Sequence, residues 1–264
     1  MQESTGKMKG RPFYEKYAWA YDHIISRDQE PECDFVAQVL ADSGIARDAV
    51  LLDAGCGTGG YAVELTKRGF RVTGVDRSSH LLAVARKKAA AAGLEIPFIV
   101  GDLLTLNAAR QYDAILCRGV LNDIVEERDR TQVFHSFAAL LRRGGVLILD
   151  VRDWERTIQT KSAMPVFRKK VDVDGQLLEF TSIAELDRSN KMLRIQETHK
   201  YRDDESRYDF TMKCWTKAEL ADNLAAAGFG NIEFFDSYTT GTISNKTDRI
   251  VAISRKTTHL SEEQ

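Results

Sequence analysis

The chain is 264 residues long and carries 37 Lys and Arg against 39 Asp and Glu, a formal net charge of −2 at pH 7. That balance excludes a global field able to draw in nucleic acid or a membrane surface, and no apolar run approaches the ~20 residues of a membrane span. Cys33, Cys56, Cys117 and Cys214 lie far apart without a C-x-x-C pair, which argues against a zinc site or a disulfide framework and points to the reduced cytoplasm.

Residues 1 to about 11 are polar, lack the apolar centre of a signal peptide and are expected to be mobile. Phe13-Tyr-Glu-Lys-Tyr-Ala-Trp-Ala-Tyr-Asp22 spaces its aromatics as one helix would, with Tyr17 and Trp19 expected in the core. Buried hydroxyls on Tyr14 and Tyr21 would need partners, which makes these two candidate ligand contacts. Phe35, Val36, Val39 and Leu40 predict a helix over Asp34 to Asp42, stopped by Gly44.

Val50, Leu51 and Leu52 read as a buried parallel strand that ends at Asp53 and opens into a glycine loop; Tyr61 to Lys67 then begins a helix. Strand, glycine loop and helix form the nucleoside-binding corner of a doubly wound α/β sheet, where the chain turns tightly and a ligand lies against bare backbone. Gly55, Gly57 and Gly60 satisfy G-x-G-x-x-G, and Asp76 follows the next strand, Arg71 to Val75, where an acid can accept from a ribose diol. Asp76 can instead cap the helix starting at Ser78 or Ser79, and glycine turns of this kind also occur where nothing binds. A dinucleotide dehydrogenase shares this skeleton, and Asp53 separates the readings. A carboxylate beside the loop repels a pyrophosphate yet suits an ammonium and a sulfonium, a unit-charge pair at ~4 Å near a surface being worth about 4 kcal/mol before desolvation.

Leu81 to Ala92 predicts a helix, Pro97 to Val100 a third strand leading to Gly101-Asp102-Leu103, and Tyr112 to Cys117 a fourth strand after a turn at Asn107 to Gln111. Arg118-Gly-Val-Leu-Asn122 follows at the strand's carboxyl end, where open α/β sheets bind ligands. Arg118 either donates to the ligand or pairs with Asp123 or Glu126. The helix Arg128 to Leu141 carries His135 away from these loops, and Gly144 to Asp150 predicts a fifth buried strand. From Val166 the texture changes to four alternating segments, Phe167 to Val173, Leu177 to Leu186, Met192 to Tyr201 and Tyr208 to Trp215, joined by short turns. Without crossover helices they must pair antiparallel, as a sheet that roofs the cleft or serves a homodimer interface. Thr216 and Glu219 form a capping box for a helix to Ala227; Ile232 to Ser237 and Arg249 to Ile253 close the main sheet, and Lys256 to Gln264 is expected to fray.

Asp53-Ala-Gly-Cys-Gly-Thr-Gly resembles the D-x-G-x-G-x-G motif of the class I S-adenosylmethionine-dependent methyltransferases, a resemblance that runs from about Tyr14 to Val151 and resumes near Trp215. It implies an α/β fold with a Rossmann-like, doubly wound seven-stranded sheet. The core would be residues 1–155 and 214–264, with a small antiparallel β insertion, 156–213, after the fifth strand. Phe13 to Asp22 resembles the Y-D-x-x-A-x-x-Y-D segment ahead of many small-molecule methyltransferase cores, with Glu15 where Asp is usual, and brings Tyr14 and Tyr21 to the cofactor. The implied contacts to S-adenosyl-L-methionine are Asp53, Gly55, Cys56 and Gly57 in the loop, Asp76 and Arg77 at the ribose, Asp102 and Leu103 at the adenine, and Cys117 and Arg118 after the fourth strand. Asp150-Val-Arg-Asp-Trp-Glu155 resembles the D-x-R-N-Y-D segment of glycine and sarcosine N-methyltransferases, with Asp153 in place of Asn. A carboxylate facing the substrate there would suit an amine or hydroxyl donor and disfavour a bound carboxylate. Asn122, Arg152 and Asp153 are thus the candidate acceptor-positioning groups, and no metal is implied.

The expected function is methyl transfer to a small-molecule acceptor, at nitrogen ahead of oxygen. NAD-dependent oxidoreduction and nucleoside binding without turnover remain the alternatives.

Overall fold

The computed structural model describes residues 11–25, 28–107, 111–236, 238 and 248–257. The expectations for residues 1–10, for 108–110 of the turn before the fourth strand, for Ser237 and for 258–264 lie outside them. Two 3-10 turns, Pro12–Tyr14 and Ala18–Ala20, lead into α1 (Tyr21–Ile24) and α2 (Glu30–Asp42). The core continues through β1 (Val50–Ala54), α3 (Gly60–Lys67), β2 (Arg71–Asp76), α4 (Ser79–Ala91) and β3 (Phe98–Val100). Next come β4 (Tyr112–Arg118), α5 (Glu127–Leu140), β5 (Leu141–Arg152) and α6 (Trp154–Ala163). Four strands follow, β6 (Val166–Val173), β7 (Gln176–Asp187), β8 (Met192–Tyr201) and β9 (Asp204–Lys213), before α7 (Lys217–Ala226), β10 (Phe229–Phe235) and β11 (Arg249–Lys256).

The main sheet has seven strands in the order β10-β11-β5-β4-β1-β2-β3. Its neighbours from β5 through β3 run parallel, and β11 is antiparallel to both β5 and β10. The central strands are apolar on both faces because helices cover both: Leu51 and Leu116 join the cluster under α2 and α3, while Leu52 and Ile115 join the one under α5 and α7. The order reverses between β1 and β4, which opens a crevice above their carboxyl ends. The second sheet, β6-β7-β8-β9, is wholly antiparallel and continuous in sequence. Its two connections to the core lie side by side, Asp153 bridging Trp215, with Trp215 N–H donating to Arg152 O and Trp154 N–H to Trp215 O.

Three expectations are corrected. Phe13 to Asp22 is not one helix but two 3-10 turns running into α1, because Glu15 leaves helical backbone at φ −120° and ψ −90°. Tyr17 is buried as expected, but Trp19 is 38% exposed and lies against Tyr201. The helix α6 is the third, falling where no helix is expected. It starts because the Asp153 carboxylate accepts from Arg156 N–H, the bond that satisfies an exposed donor of a first helical turn. Among the described residues no helix is long and apolar enough to cross a membrane.

Candidate active site

Two chambers meet above the carboxyl ends of β1 and β4, of about 460 and about 190 Å³. Tyr14, Tyr21, Gly55, Gly57, Arg118 and Gly119 line both and form the neck between them. The β1 loop reaches the neck because its backbone is bare. Gly55 sits at φ +76°, and a Cβ there would run into the Val120 side chain, so only glycine fits. The loop is held from β2: Gly55 and Cys56 N–H both donate to Val75 O, and Gly57 N–H donates to Asp76 Oδ2 at 2.9 Å.

Asp53 lies at the end of β1 on the wall of the larger chamber, 4% exposed, and its Oδ2 has no hydrogen-bond partner among the described residues. Burial pushes its pKa up to about 7, with Arg118 drawing it back and Asp76 adding to the rise. A buried acceptor without a donor is costly, and an ammonium is the group that relieves it. Asp76 serves two backbone donors, Gly57 on Oδ2 and Ser78 on Oδ1, while Ser78 Oγ accepts from Leu81 N–H as the cap of α4. Burial raises the Asp76 pKa against those bonds. Each carboxylate oxygen has a second lone pair, so these bonds leave acceptor capacity toward the smaller chamber, where Asp76, Arg77, Asp102 and Leu103 all lie. Asp102 Oδ1 accepts from Leu104 N–H and shapes its own turn. The donor set of the neck and the two carboxylates therefore fits an adenosyl group carrying an amino acid tail.

Arg118 is committed more heavily than the sequence suggests. Its guanidinium donates to Tyr238 Oη at 2.8 Å, pairs with Asp150 and Glu32, and sits 4.0 Å from the centre of the Tyr61 ring. Its partners are thus not Asp123 or Glu126. Burial works against its charge, yet Tyr238 and Asp150 hold it protonated well above the ordinary range.

The structure moves two candidates out of the cleft. Cys117 is fully buried within β4, where it pairs with Ala54 and Leu149, and its thiol touches neither chamber. Asp153 is 6% exposed and used as the α6 cap, so it does not face a substrate and its bias against a bound carboxylate lapses. Asn122 and Arg152 do line the larger chamber. The Asn122 amide, 1% exposed, also ties three elements together: Nδ2 donates to Lys213 O, Oδ1 accepts from Arg152 N–H, and its own carbonyl accepts from Lys213 N–H. Arg152 pairs with Asp248.

Arg11, which ties the N-terminal segment to the second sheet, carries no signature in the sequence. The Arg11 guanidinium forms a two-pronged pair with Glu197, 2% exposed on β8, and donates to Tyr14 Oη, which in turn donates to Asp123 Oδ2 at 3.2 Å. Nothing local in the sequence marks this pair, because its partners are 186 residues apart. The sheet covers the larger chamber with one face, Phe167, Phe180, Ser182, Ile195, Glu197, Phe210 and Met212, which the strand registers bring into line. The other face carries Arg168, Lys170, Thr181, Arg194 and Arg207 to solvent or its margin. Among the described residues no group of three or more His, Cys, Asp or Glu is placed to hold a metal ion.

Residues 51–145 match the methyltransferase domain family. A glycine/sarcosine N-methyltransferase from Parasynechococcus marenigrum (strain WH8102) is 31% identical over 157 residues, 58% of this chain and 55% of that protein. The chain spans about half the length of the curated relatives it matches. Among solved structures, an S-adenosylmethionine-dependent methyltransferase from Clostridium acetobutylicum superposes with a TM-score of 0.74 over 92% of this chain and 98% of that one, at 22% identity. An amino pentose methyltransferase from Micromonospora echinaspora, with S-adenosylmethionine bound, gives 0.66 over 97% and 100% at 21% identity. These likenesses show the fold, the seven-stranded Rossmann-like sheet of class I methyltransferases.

Proposed function

We infer that this chain, which carries a methyltransferase domain across residues 51–145 on the class I methyltransferase fold, transfers the methyl group of S-adenosyl-L-methionine to a small-molecule acceptor, at nitrogen ahead of oxygen. The observation that carries the reading is Asp53, a buried carboxylate in the wall beside the glycine loop with one oxygen unpartnered among the described residues. A pyrophosphate at that wall would meet a negative charge, which disfavours a dinucleotide. The nitrogen preference rests on the likeness to an N-methyltransferase relative.

When bound, the cofactor supplies an electrophilic methyl on a sulfonium. The protein's part is positional: Asp53 receives the ammonium end, Asp76 and Asp102 the adenosine end, and Tyr14 and Tyr21 line the neck between the chambers. Residues 156–213 act as a roof over the core, 1–155 and 214–264. Holding two reactants in line and keeping water out supplies much of the rate enhancement for a displacement of this kind, so no nucleophilic triad is required. Asn122 and Arg152 shape the floor on which the acceptor rests.

The test is calorimetric. Asp53→Ala and Asp76→Ala should each remove measurable S-adenosylmethionine binding with the circular dichroism unchanged, since charge-assisted bonds are worth about 1.5–3 kcal/mol each. Unchanged affinity in both, or NADH binding in place of S-adenosylmethionine, overturns the reading. Release of S-adenosylhomocysteine from a metabolite library then separates an enzyme from a binding protein.

A further inference from the structure

The charged side chains of the larger chamber are nearly all spoken for. Among the described residues Arg11 pairs with Glu197, Asp22 with Lys88, Arg118 with Glu32 and Asp150, Arg152 with Asp248, and Arg249 with Asp150. Among the described residues, two lining groups of opposite sign have no ion-pair or hydrogen-bond partner for their free atoms: the Asp53 carboxylate oxygen at the glycine loop, and the ammonium of Lys161. Lys161 stands in the last turn of α6, half-buried, and lines the chamber beside Thr160. Arg152 and Asp248 are the charges that face it, and they already form a pair with each other. Burial, followed by the repulsion of Arg152, lowers the Lys161 pKa, with Asp248 opposing, as expected for a cation held short of a counterion. The second sheet lines the same chamber with the apolar side chains Phe167, Phe180, Ile195, Phe210 and Met212.

We propose that Lys161 is a specificity-determining residue: the methyl acceptor is an organic acid with an apolar body, whose carboxylate pairs with the Lys161 ammonium while the body lies against the Phe180 and Phe210 wall. One uncompensated positive charge matches a monoanion. A phosphate dianion would leave a negative charge unbalanced beside Asp248. A half-buried ammonium that lacks a partner binds an anion with less loss than a solvated lysine, because part of its desolvation is already incurred in the fold. The wall also disfavours the smallest amino acids, which have no apolar body to set against it. This substrate class rests on the methyltransferase reading of the same cleft.

The experiment uses the full chain saturated with S-adenosylhomocysteine and three probes, 3-phenylpropionate, its uncharged amide and phenyl phosphate, titrated by calorimetry. The carboxylate should bind at least tenfold more tightly than the amide or the phosphate. Lys161→Met should erase that preference, Lys161→Arg should retain it, and both variants should bind S-adenosylhomocysteine as the parent does. Equal binding of carboxylate and amide to the parent, a preference for the phosphate, or a carboxylate preference that survives in Lys161→Met overturns the proposal. If S-adenosylhomocysteine itself does not bind, the methyltransferase reading fails; the same probe ratios on the free protein then decide the Lys161 site by the same criteria.

Discussion

At the scale of single residues, Asp53, the group on which the proposed cofactor binding rests, weakens the fold that holds it. Its pKa rises from 3.8 to about 7 on folding, so between those two values the native state holds a proton that the unfolded chain has lost, and above about 7 the native carboxylate is charged. Stability from this group is complete below pH ~4 and is lost as pH rises toward 7, by on the order of 4 kcal/mol at most. His199 acts in the opposite direction. It is fully buried, stacked on Tyr17 at 4.8 Å with neither ring nitrogen bonded among the described residues, and burial lowers its pKa to about 4. Its contribution is therefore lost as pH falls from about 6.5 toward 4. Because the two profiles overlap, the difference between Asp53→Asn and the parent is the informative quantity. Denaturant melts should show the variant gaining stability progressively from pH 4 to 8, while its S-adenosylmethionine affinity falls at least tenfold. A pH-independent difference would mean that Asp53 is not buried as a titrating acid. The acid was legible in the sequence as the residue before the glycines; its burial and its orphaned oxygen were not, since both depend on β4 and Arg118 arriving from 65 residues away.

At the scale of elements, the core strands and helices were readable because their periods are long and their stops are glycines, as at Gly44, Gly93 and Gly228. The capping box at Thr216 and Glu219 formed as its spacing implied. Two elements depart from their local pattern for physical reasons. Phe13, Tyr17 and Tyr21 recur every four residues as on a helix, yet the segment must fold over the second sheet, where Phe13 meets Phe180 and His199, and the backbone breaks to do so. Likeness places Asp153 at the substrate, although an Asp followed by Glu155 is also an ordinary helix start. Asp153→Ala should accordingly lower stability by about 1 kcal/mol through loss of the α6 cap and leave S-adenosylmethionine affinity unchanged, whereas Asp153→Asn should be nearly neutral. A loss of cofactor binding without a loss of stability in the alanine variant would return Asp153 to the site.

At the scale of the whole molecule, the N-terminal segment, the core and the second sheet are joined through charges the sequence could not pair. Arg11 and Glu197 are 10% and 3% exposed at their side chains, and removing one partner of a buried pair strands the other charge. Glu197→Ala should cost about 3 kcal/mol in global stability and speed amide exchange in residues 11–25 before it affects the core strands. Exchange that stays uniform across the chain would show that this segment is anchored by its aromatics alone. The division into sheet and insertion was legible from the change of texture at Val166; the docking of one on the other was not, because it is written in contacts between distant positions.

The paired necks at Asp153 and Trp215 make the second sheet a cassette. Chain leaves the core and returns to it through neighbouring positions on one doorway, so the second sheet adds no strand to the main sheet and interrupts none of its pairings. The canopy and the sheet beneath it therefore share one hinge line, and a change of length within the canopy leaves the ladder of the main sheet untouched.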